Sequence, residues 1–122
     1  MAVDPTGEDV RRYVDEDDGG PVVMLNLLRY GGSAGRESYE QYARAVQPHI
    51  ERVGAEIVYA GDCKTELVGA AGHDWDSVLL VRYPSRQKFL EMVMDPIYQE
   101  ITKLRSDGLE AAVLQATAPW QA

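Results

Sequence analysis

The sequence predicts an α+β protein with a four-stranded antiparallel sheet, helices on one face of that sheet, and an extra helix at the amino terminus. Two apolar segments carry this prediction, Val22 to Tyr30 and Ser77 to Tyr83. Both end in Arg-Tyr and are followed by a chain breaker, Gly31 or Pro84, and each precedes a stretch with helical spacing of its apolar residues. The chain therefore contains two strand–helix–strand units.

Length and charge limit the classes of protein that need to be considered. The chain has 122 residues, 45% of them hydrophobic, a net charge of −8 and one cysteine. These values predict a cytoplasmic protein without an internal disulfide, divided into an amino-terminal arm with a short helix (1–20) and one domain (21–122). An acidic chain without basic patches argues against nucleic acid and against a membrane surface as partners.

The amino-terminal part is predicted to be a loose segment over 1–5 and then a short amphipathic helix. Thr6 can cap that helix, and Glu8 and Asp9 suit the positive end of its dipole. Val10, Tyr13 and Val14 fall on one face. The acidic run that follows ends the helix at Gly19-Gly20.

In the first unit, apolar residues at helical spacing indicate a helix that ends at Gly54, where glycine is a common stop. The predicted elements are a strand over 22–30, a loop over 31–35, a helix over 36–53, a strand over 55–61 that resumes over 65–68, and a loop over 69–76.

The second unit begins with the strand over 77–83, predicted to be central because it is apolar on both faces. Ser85 can cap the next helix, and Asp95-Pro96 breaks it and starts another, with Asp95 as cap and Pro96 at the first helical position. The last helix ends near Asp107-Gly108, and a strand follows over 109–117.

The two units repeat short sequences at intervals of roughly 50 residues. The pairs are Leu-Leu-Arg-Tyr30 with Leu-Val-Arg-Tyr83, Arg36-Glu-Ser-Tyr39 with Arg86-Gln-Lys-Phe89, and Gly54-Ala-Glu56 with Gly108-Leu-Glu110. Two such units in one antiparallel sheet form the ferredoxin-like split βαβ arrangement.

Both faces of the central strands are apolar, yet helices can cover one face alone. A monomer would expose a large apolar patch, which soluble proteins rarely do. A second copy of the chain, related by a two-fold axis, is the simplest cover. The sequence thus predicts a homodimer in which two sheets form a barrel.

Several short motifs lie between Val22 and Leu114: Tyr39-x-x-Tyr42, Gly61, Tyr83-Pro84-Ser85, Asp95-Pro96-x-Tyr98-Gln99 and Arg105. In their order and spacing they resemble the family called domain of unknown function 1330, in the dimeric α+β barrel superfamily. The resemblance implies the fold and the dimer but no established activity. Relatives in that superfamily include cofactor-free monooxygenases and small isomerases with pockets between sheet and helices.

The first functional hypothesis is a cofactor-free enzyme, monooxygenase-like or isomerase-like, that acts on an acidic or carbonyl-bearing substrate in a sheet–helix pocket. Arg82 would hold negative charge, since a guanidinium grips carboxylates in a two-pronged manner, and Tyr42 or His49 would move a proton. Asn26 would orient the substrate, because a lone amide in an apolar strand needs a hydrogen-bond partner. Aromatic walls would come from Trp75, Tyr98 and Tyr59.

The alternative is a non-catalytic dimeric module that binds a metabolite or a partner. Each candidate also has an ordinary structural reading: a surface ion pair for Arg82, core packing for the tyrosines, and a plug at the end of the barrel for Trp75. If the side chains of each strand alternate regularly, Arg82 and Asn26 point to opposite faces of the sheet. No metal-ligand spacing or nucleotide-binding loop occurs, so the sequence predicts neither metal nor cofactor.

Overall fold

A computed structural model describes residues 3–121 of the chain. Within these residues, four helices and four strands follow one another in the predicted order, with the second strand followed directly by the third and the third helix directly by the fourth. The elements are α1 (Gly7–Asp15), β1 (Val22–Tyr30), α2 (Gly32–Arg52), β2 (Glu56–Asp62), β3 (Ser77–Tyr83), α3 (Arg86–Val93), α4 (Pro96–Gly108) and β4 (Leu109–Thr117).

The strands form one antiparallel sheet in the order β2-β3-β1-β4. β1-α2-β2 is one unit and β3-α3-α4-β4 is the other, so the predicted split βαβ topology is confirmed. β1 and β3 are the two central strands, as their apolar sequences indicate. The sheet does not close on itself, because β2 and β4 remain edges.

One face of the sheet packs against the helices and forms the core. Cross-strand pairs such as Val22 with Tyr83 and Met24 with Val81 lie on this face, since residues directly opposite in an antiparallel pair share a side. They are buried together with residues of α2, α3 and α4. This side is called the sheet–helix layer below.

The other face of the sheet carries apolar side chains that no helix covers. Leu25 lies between Leu80 on β3 and Gln115 on β4, and Leu27 lies between Val78 and Val113. All of these residues except the exposed Gln115 are half-buried. We call this surface the open face.

Three predicted boundaries were wrong. α2 begins at Gly32 and not at Arg36, and its first turns are fixed by Arg36, whose Nη2 lies 3.0 Å from Oδ1 of Asp62 on β2. No strand forms over 65–68, because a hydrogen bond from the Cys63 amide to the Asp76 carbonyl, 2.9 Å, closes the loop just beyond the last strand pair.

The third correction concerns the arm over 1–5, which was expected to be loose. Residues 1 and 2 lie outside the described part of the chain, but Val3 and Asp4 are bound. The Val3 carbonyl accepts a hydrogen bond of 2.7 Å from Nη1 of Arg105, and the Asp4 carboxylate also contacts that arginine. A buried guanidinium needs acceptors, and the arm supplies them.

The predicted caps are confirmed. Thr6 accepts a hydrogen bond from the Asp9 amide while the Asp9 carboxylate accepts one from the Thr6 amide, which is a complete capping box. Ser85 caps α3, and Asp95 caps α4. None of the helices within residues 3–121 combines the length and the hydrophobicity needed to cross a lipid bilayer.

The break between α3 and α4 can be tested by substitution. Oδ1 of Asp95 lies 2.8 Å from the Ile97 amide and 3.3 Å from the Tyr98 amide, whereas Pro96 occupies a position whose amide needs no helical partner. We expect Asp95→Ala to lower the Tm by about 4 °C through loss of the cap, and Pro96→Ala to change it less. Thermal melts that place the larger loss on Pro96→Ala would contradict this assignment.

Candidate functional site

Four tyrosines fill the middle of the sheet–helix layer, and we call them the tyrosine cluster: Tyr39 and Tyr42 on α2, Tyr83 at the end of β3, and Tyr98 on α4. Each is less than a tenth exposed. The hydroxyl oxygens of Tyr42 and Tyr98 lie 3.0 Å apart and form a hydrogen bond. The cluster therefore places polar groups inside an otherwise apolar core.

Burial keeps the phenols of Tyr39, Tyr42 and Tyr83 neutral. It raises the pKa of Tyr39 to about 12 and holds the pKa of Tyr42 well above 10, where the adjacent Tyr98 hydroxyl adds to the effect. Burial also raises the pKa of Tyr83. At neutral pH these three phenols can donate hydrogen bonds to an oxygen atom, but they cannot act as phenolate bases.

His49 lies at the end of α2, half-buried, with its ring edge-on to Tyr98 at a centroid distance of 6.3 Å. Its Nδ1 is 3.0 Å from Nη2 of Arg52. Because a guanidinium only donates, Nδ1 accepts, and the neutral imidazole carries its proton on Nε2. His49 thus presents an N–H donor at the edge of the tyrosine cluster.

The carboxylate of Asp95 lies 3.6 Å from the same Arg52 guanidinium. The hydrogen bond from the Ile97 amide is the main cause that lowers the pKa of Asp95, and Arg52 and His49 add to it. The carboxylate is thereby a weak base at neutral pH. The Asp95 side chain is partly exposed, so it lies between the tyrosine cluster and the protein surface.

Asn26 lies on β1 opposite Leu79 and Leu114, on the same side of the sheet as the cluster. Its side-chain amide is partly buried and donates to the Met24 carbonyl at 3.3 Å. The predicted orienting group therefore has one local hydrogen bond and keeps further capacity to bond. The structure thus brings four predicted residues, Tyr42, Tyr98, His49 and Asn26, to one side of the sheet.

Arg82 and Tyr59 lie on the opposite side. Arg82 faces Glu56 across β3 and β2, with 4.0 Å between the two charged groups, and its side chain is 44% exposed. The expectation that Arg82 holds an anion in the sheet–helix pocket is wrong, because the pleat directs it to the open face. Tyr59 is 54% exposed and pairs with Leu80, since a bulge after Ile57 shifts the register.

Trp75 lies beyond the start of β3, at the end of the sheet away from Tyr83. The guanidinium of Arg29 stacks 5.7 Å from its ring, and His73 meets it edge-on at 6.3 Å. His73 and Trp75 border an open cavity of about 580 Å³ in the loop between β2 and β3. Trp75 is therefore remote from the tyrosine cluster, and its role in binding a substrate stays a prediction. The same loop exposes Leu67 (91%) and Val68 (94%).

A second cavity, of about 260 Å³, lies between Tyr30, Arg36 and Asp76. Neither cavity is lined by a residue of the tyrosine cluster. The described residues, 3–121, also contain no group of three or more His, Cys, Asp or Glu side chains arranged to hold a metal ion.

Arg105 is the charged residue of the sheet–helix layer that the sequence did not single out as a site. It is 6% exposed, and its Nη2 is buried without a hydrogen-bond partner among residues 3–121. Its positive charge acts against the rise in pKa of both Tyr39 and Tyr42, so it faces the cluster. The signal was available, because Arg105 stands seven residues after Tyr98 on the inward stripe of α4.

The buried phenols predict an alkaline loss of stability. A tyrosine with pKa near 10 when unfolded and about 12 when folded contributes fully below pH 10, and its contribution is lost as the pH rises from 10 to 12. In that window the free energy of unfolding of the wild type falls as the pH rises. We expect the fall to be less steep in Tyr39→Phe, and the two slopes to differ by about 1.4 kcal/mol per pH unit.

Urea unfolding between pH 9 and 11.5 measures these slopes. Tyr59→Phe is the control, because it removes a hydroxyl from the exposed edge strand and not from the core. Equal slopes in wild type and Tyr39→Phe would contradict the neutral buried state of this phenol.

Comparison with solved structures shows the same fold in proteins of several kinds. A protein of unknown function from Rhodopseudomonas palustris is 35% identical, with a TM-score of 0.91 and 98% of each chain covered. A dimeric ferredoxin-like protein of unknown function from Thermobifida fusca is 17% identical, with a TM-score of 0.55, and the match covers 84% of this chain and 93% of that one.

A cofactor-independent oxygenase, SnoaB, from Streptomyces nogalater is 14% identical, with a TM-score of 0.59, and the match covers 84% of this chain and 96% of that one. At such low identity these last two share the fold alone. A comparison with curated proteins finds no match. The family model described as domain of unknown function (DUF1330) matches residues 33–117, most of the chain. The chain therefore belongs to the DUF1330 family.

Proposed function

We propose that this DUF1330 protein is a homodimeric enzyme without a cofactor that stabilises the enolate of a small carbonyl-bearing acid at the tyrosine cluster. One observation carries the proposal: the hydrogen-bonded hydroxyls of Tyr42 and Tyr98, 3.0 Å apart, with His49 against the second ring. A pair of neutral hydroxyls in an apolar layer is suited to an oxygen on which negative charge develops.

The chemistry follows from the donors. The carbon next to the substrate carbonyl loses a proton to water, and the electron pair moves to the carbonyl oxygen. The free O–H of the tyrosine pair and Nε2–H of His49 donate to that oxygen, while the Asn26 amide orients the remainder of the molecule. Return of the proton to the enolate oxygen gives the enol and completes a keto–enol isomerisation. In the oxygenase variant of the same site, the enolate carbon would instead form a bond to molecular oxygen, which takes up the electron pair as a peroxide and is protonated to a hydroperoxide.

Phenylpyruvate tests this proposal, because its keto and enol forms interconvert with a change in ultraviolet absorbance. We expect the protein to accelerate this interconversion, and Tyr98→Phe to reduce the rate at least tenfold, as expected on losing a donor to an oxyanion. Tyr59→Phe, on the open face, should retain the wild-type rate. Oxygen uptake in the same assay identifies the oxygenase variant.

A wild-type rate equal to the buffer rate would contradict the enzymatic proposal. The second candidate function is then a non-catalytic dimeric module that binds a metabolite. One observation favours it: Tyr42 and Tyr98 are more than nine-tenths buried and are already bonded to each other. A binding module needs no base, and His49 offers none while its Nδ1 accepts from Arg52.

The homodimer is proposed from the open face. Leu25, Leu27, Val78, Leu80 and Val113 form a continuous apolar surface without a covering helix. The same surface on a second copy is its natural cover, since a two-fold axis places identical patches against each other. The Thermobifida fusca relative, described as dimeric, supports this proposal.

Two adjacent leucines on β3 form a matched pair for testing the dimer. Leu80 lies on the open face and Leu79 in the sheet–helix layer. We expect Leu80→Lys to dissociate the dimer, because it leaves an unpaired charge in the interface, and Leu79→Lys to unfold the domain. Sedimentation at micromolar concentration and circular dichroism measure both effects. A folded wild-type monomer would contradict the proposed dimer.

A further inference from the structure

Arg105 is a buried cation, and one of its two terminal amino groups is unpaired within residues 3–121. Nη1 donates a hydrogen bond of 2.7 Å to the Val3 carbonyl and lies 3.2 Å from Oδ1 of Asp4. Nη2 is buried and has no hydrogen-bond partner within residues 3–121. An unsatisfied donor on a buried charged group is costly, so such a group calls for a ligand.

The Asp4 carboxylate occupies the outer side of this arginine. Oγ of Ser106 lies 3.0 Å from each oxygen of that carboxylate and can donate to one of them. Asp4 thereby contacts one amino group of the guanidinium and one hydroxyl, and leaves Nη2 unpaired. The contact is one-pronged, although a guanidinium and a carboxylate bind best through two parallel hydrogen bonds.

Asp4 lies outside the residues that the DUF1330 model matches, which run from 33 to 117 and include Arg105. The arm is held on both sides of Asp4. The Val3 side chain packs against the core, and α1 is held by Arg86, which donates a hydrogen bond of 2.7 Å to the Tyr13 carbonyl.

We propose that Arg105 and Ser106 form a binding site for the carboxylate of a small organic acid, and that Asp4 occupies this site as an internal competitor. This proposal rests on the proposed function in one respect: both assume that the ligand lies in the sheet–helix layer. An incoming carboxylate displaces the arm and pairs with both Nη1 and Nη2. The arm is then a lid whose position depends on the ligand.

Competition by the arm lowers the apparent affinity in proportion to the fraction of time that the arm is bound. If the arm is bound about nine-tenths of the time, the apparent Kd is about tenfold weaker than the intrinsic Kd. Removal of the Asp4 charge should therefore tighten binding of a carboxylate about tenfold. A purely structural ion pair makes the opposite prediction, because its loss would weaken the fold and leave affinity unchanged.

The first experiment measures the Kd of benzoate by calorimetry. We expect Asp4→Asn to bind benzoate about tenfold more tightly than wild type. Glu8→Gln, which removes an exposed acid from the same segment, should behave as wild type. Adding Arg105→Lys to Asp4→Asn should abolish most of the binding, because an ammonium does not replace the planar fork. Equal Kd values for wild type and Asp4→Asn, or absence of benzoate binding in both, would overturn the proposal.

The second experiment uses wild type alone, so that no variant has to fold. Heteronuclear NOE values report the fast motion of the Val3 and Asp4 backbone amides. We expect saturating benzoate to lower these values to those of a free segment, while the amides of α4 stay rigid. Unchanged values at saturation would overturn displacement of the arm. Benzoate binding with this signature but without phenylpyruvate turnover would sustain the carboxylate site and reject the enzymatic proposal.

Discussion

The structure depends on one constraint: the two central strands are apolar on both faces. Alternation along β1 places Val22, Met24 and Leu28 under the helices and Val23, Leu25 and Leu27 on the other side. Soluble proteins rarely leave a large apolar face of a sheet exposed to water. The helices supply the first cover, and the proposed two-fold partner supplies the second. A functional group on β1 or β3 must therefore lie in the core layer or face the second copy.

The covered layer has a further property, because it buries polar groups in unusual number. Tyr39, Tyr42, Tyr83 and Tyr98 place four phenols among apolar neighbours, and Arg105 adds a charge. Burial keeps Tyr39 and Tyr42 protonated at neutral pH, which makes them donors. The proposed enolate chemistry and the proposed carboxylate site both use this excess of donors over acceptors. The two proposals use different donors: the enolate chemistry depends on the Tyr42–Tyr98 pair, and the carboxylate site depends on the guanidinium of Arg105.

Much of the fold could be predicted because breakers delimit its elements. β1, β3 and β4 were predicted with their observed bounds, since each is a continuous apolar run between residues that end strands. The start of α2 was missed because a glycine-rich stretch was interpreted as a loop. Close packing explains Gly35, because a Cβ there would lie 2.6 Å from the Gly108 carbonyl oxygen. This contact depends on tertiary packing, and local sequence does not reveal it.

The site was less predictable than the fold because side-chain direction depends on register. Regular alternation would keep Tyr59 on the same side as Ile57, but the bulge between them moves it to the open face. Gly61 then leaves room for the Tyr59 ring, since a Cβ there would lie 2.5 Å from its hydroxyl. Arg105 was noted as part of the family resemblance but not as a site residue, for a different reason. Its significance lies in its contact with Asp4, about one hundred residues earlier in the chain.

The central claim is that both faces of the sheet are covered in solution, one by helices and one by a second copy. Leucine methyl signals in the presence of a soluble paramagnetic agent measure this directly, because the agent broadens only exposed methyl groups. The account predicts that Leu25, Leu27 and Leu80 are as protected as Leu28, which is fully buried within one chain. Broadening of the three open-face leucines, with Leu28 still protected, would contradict it.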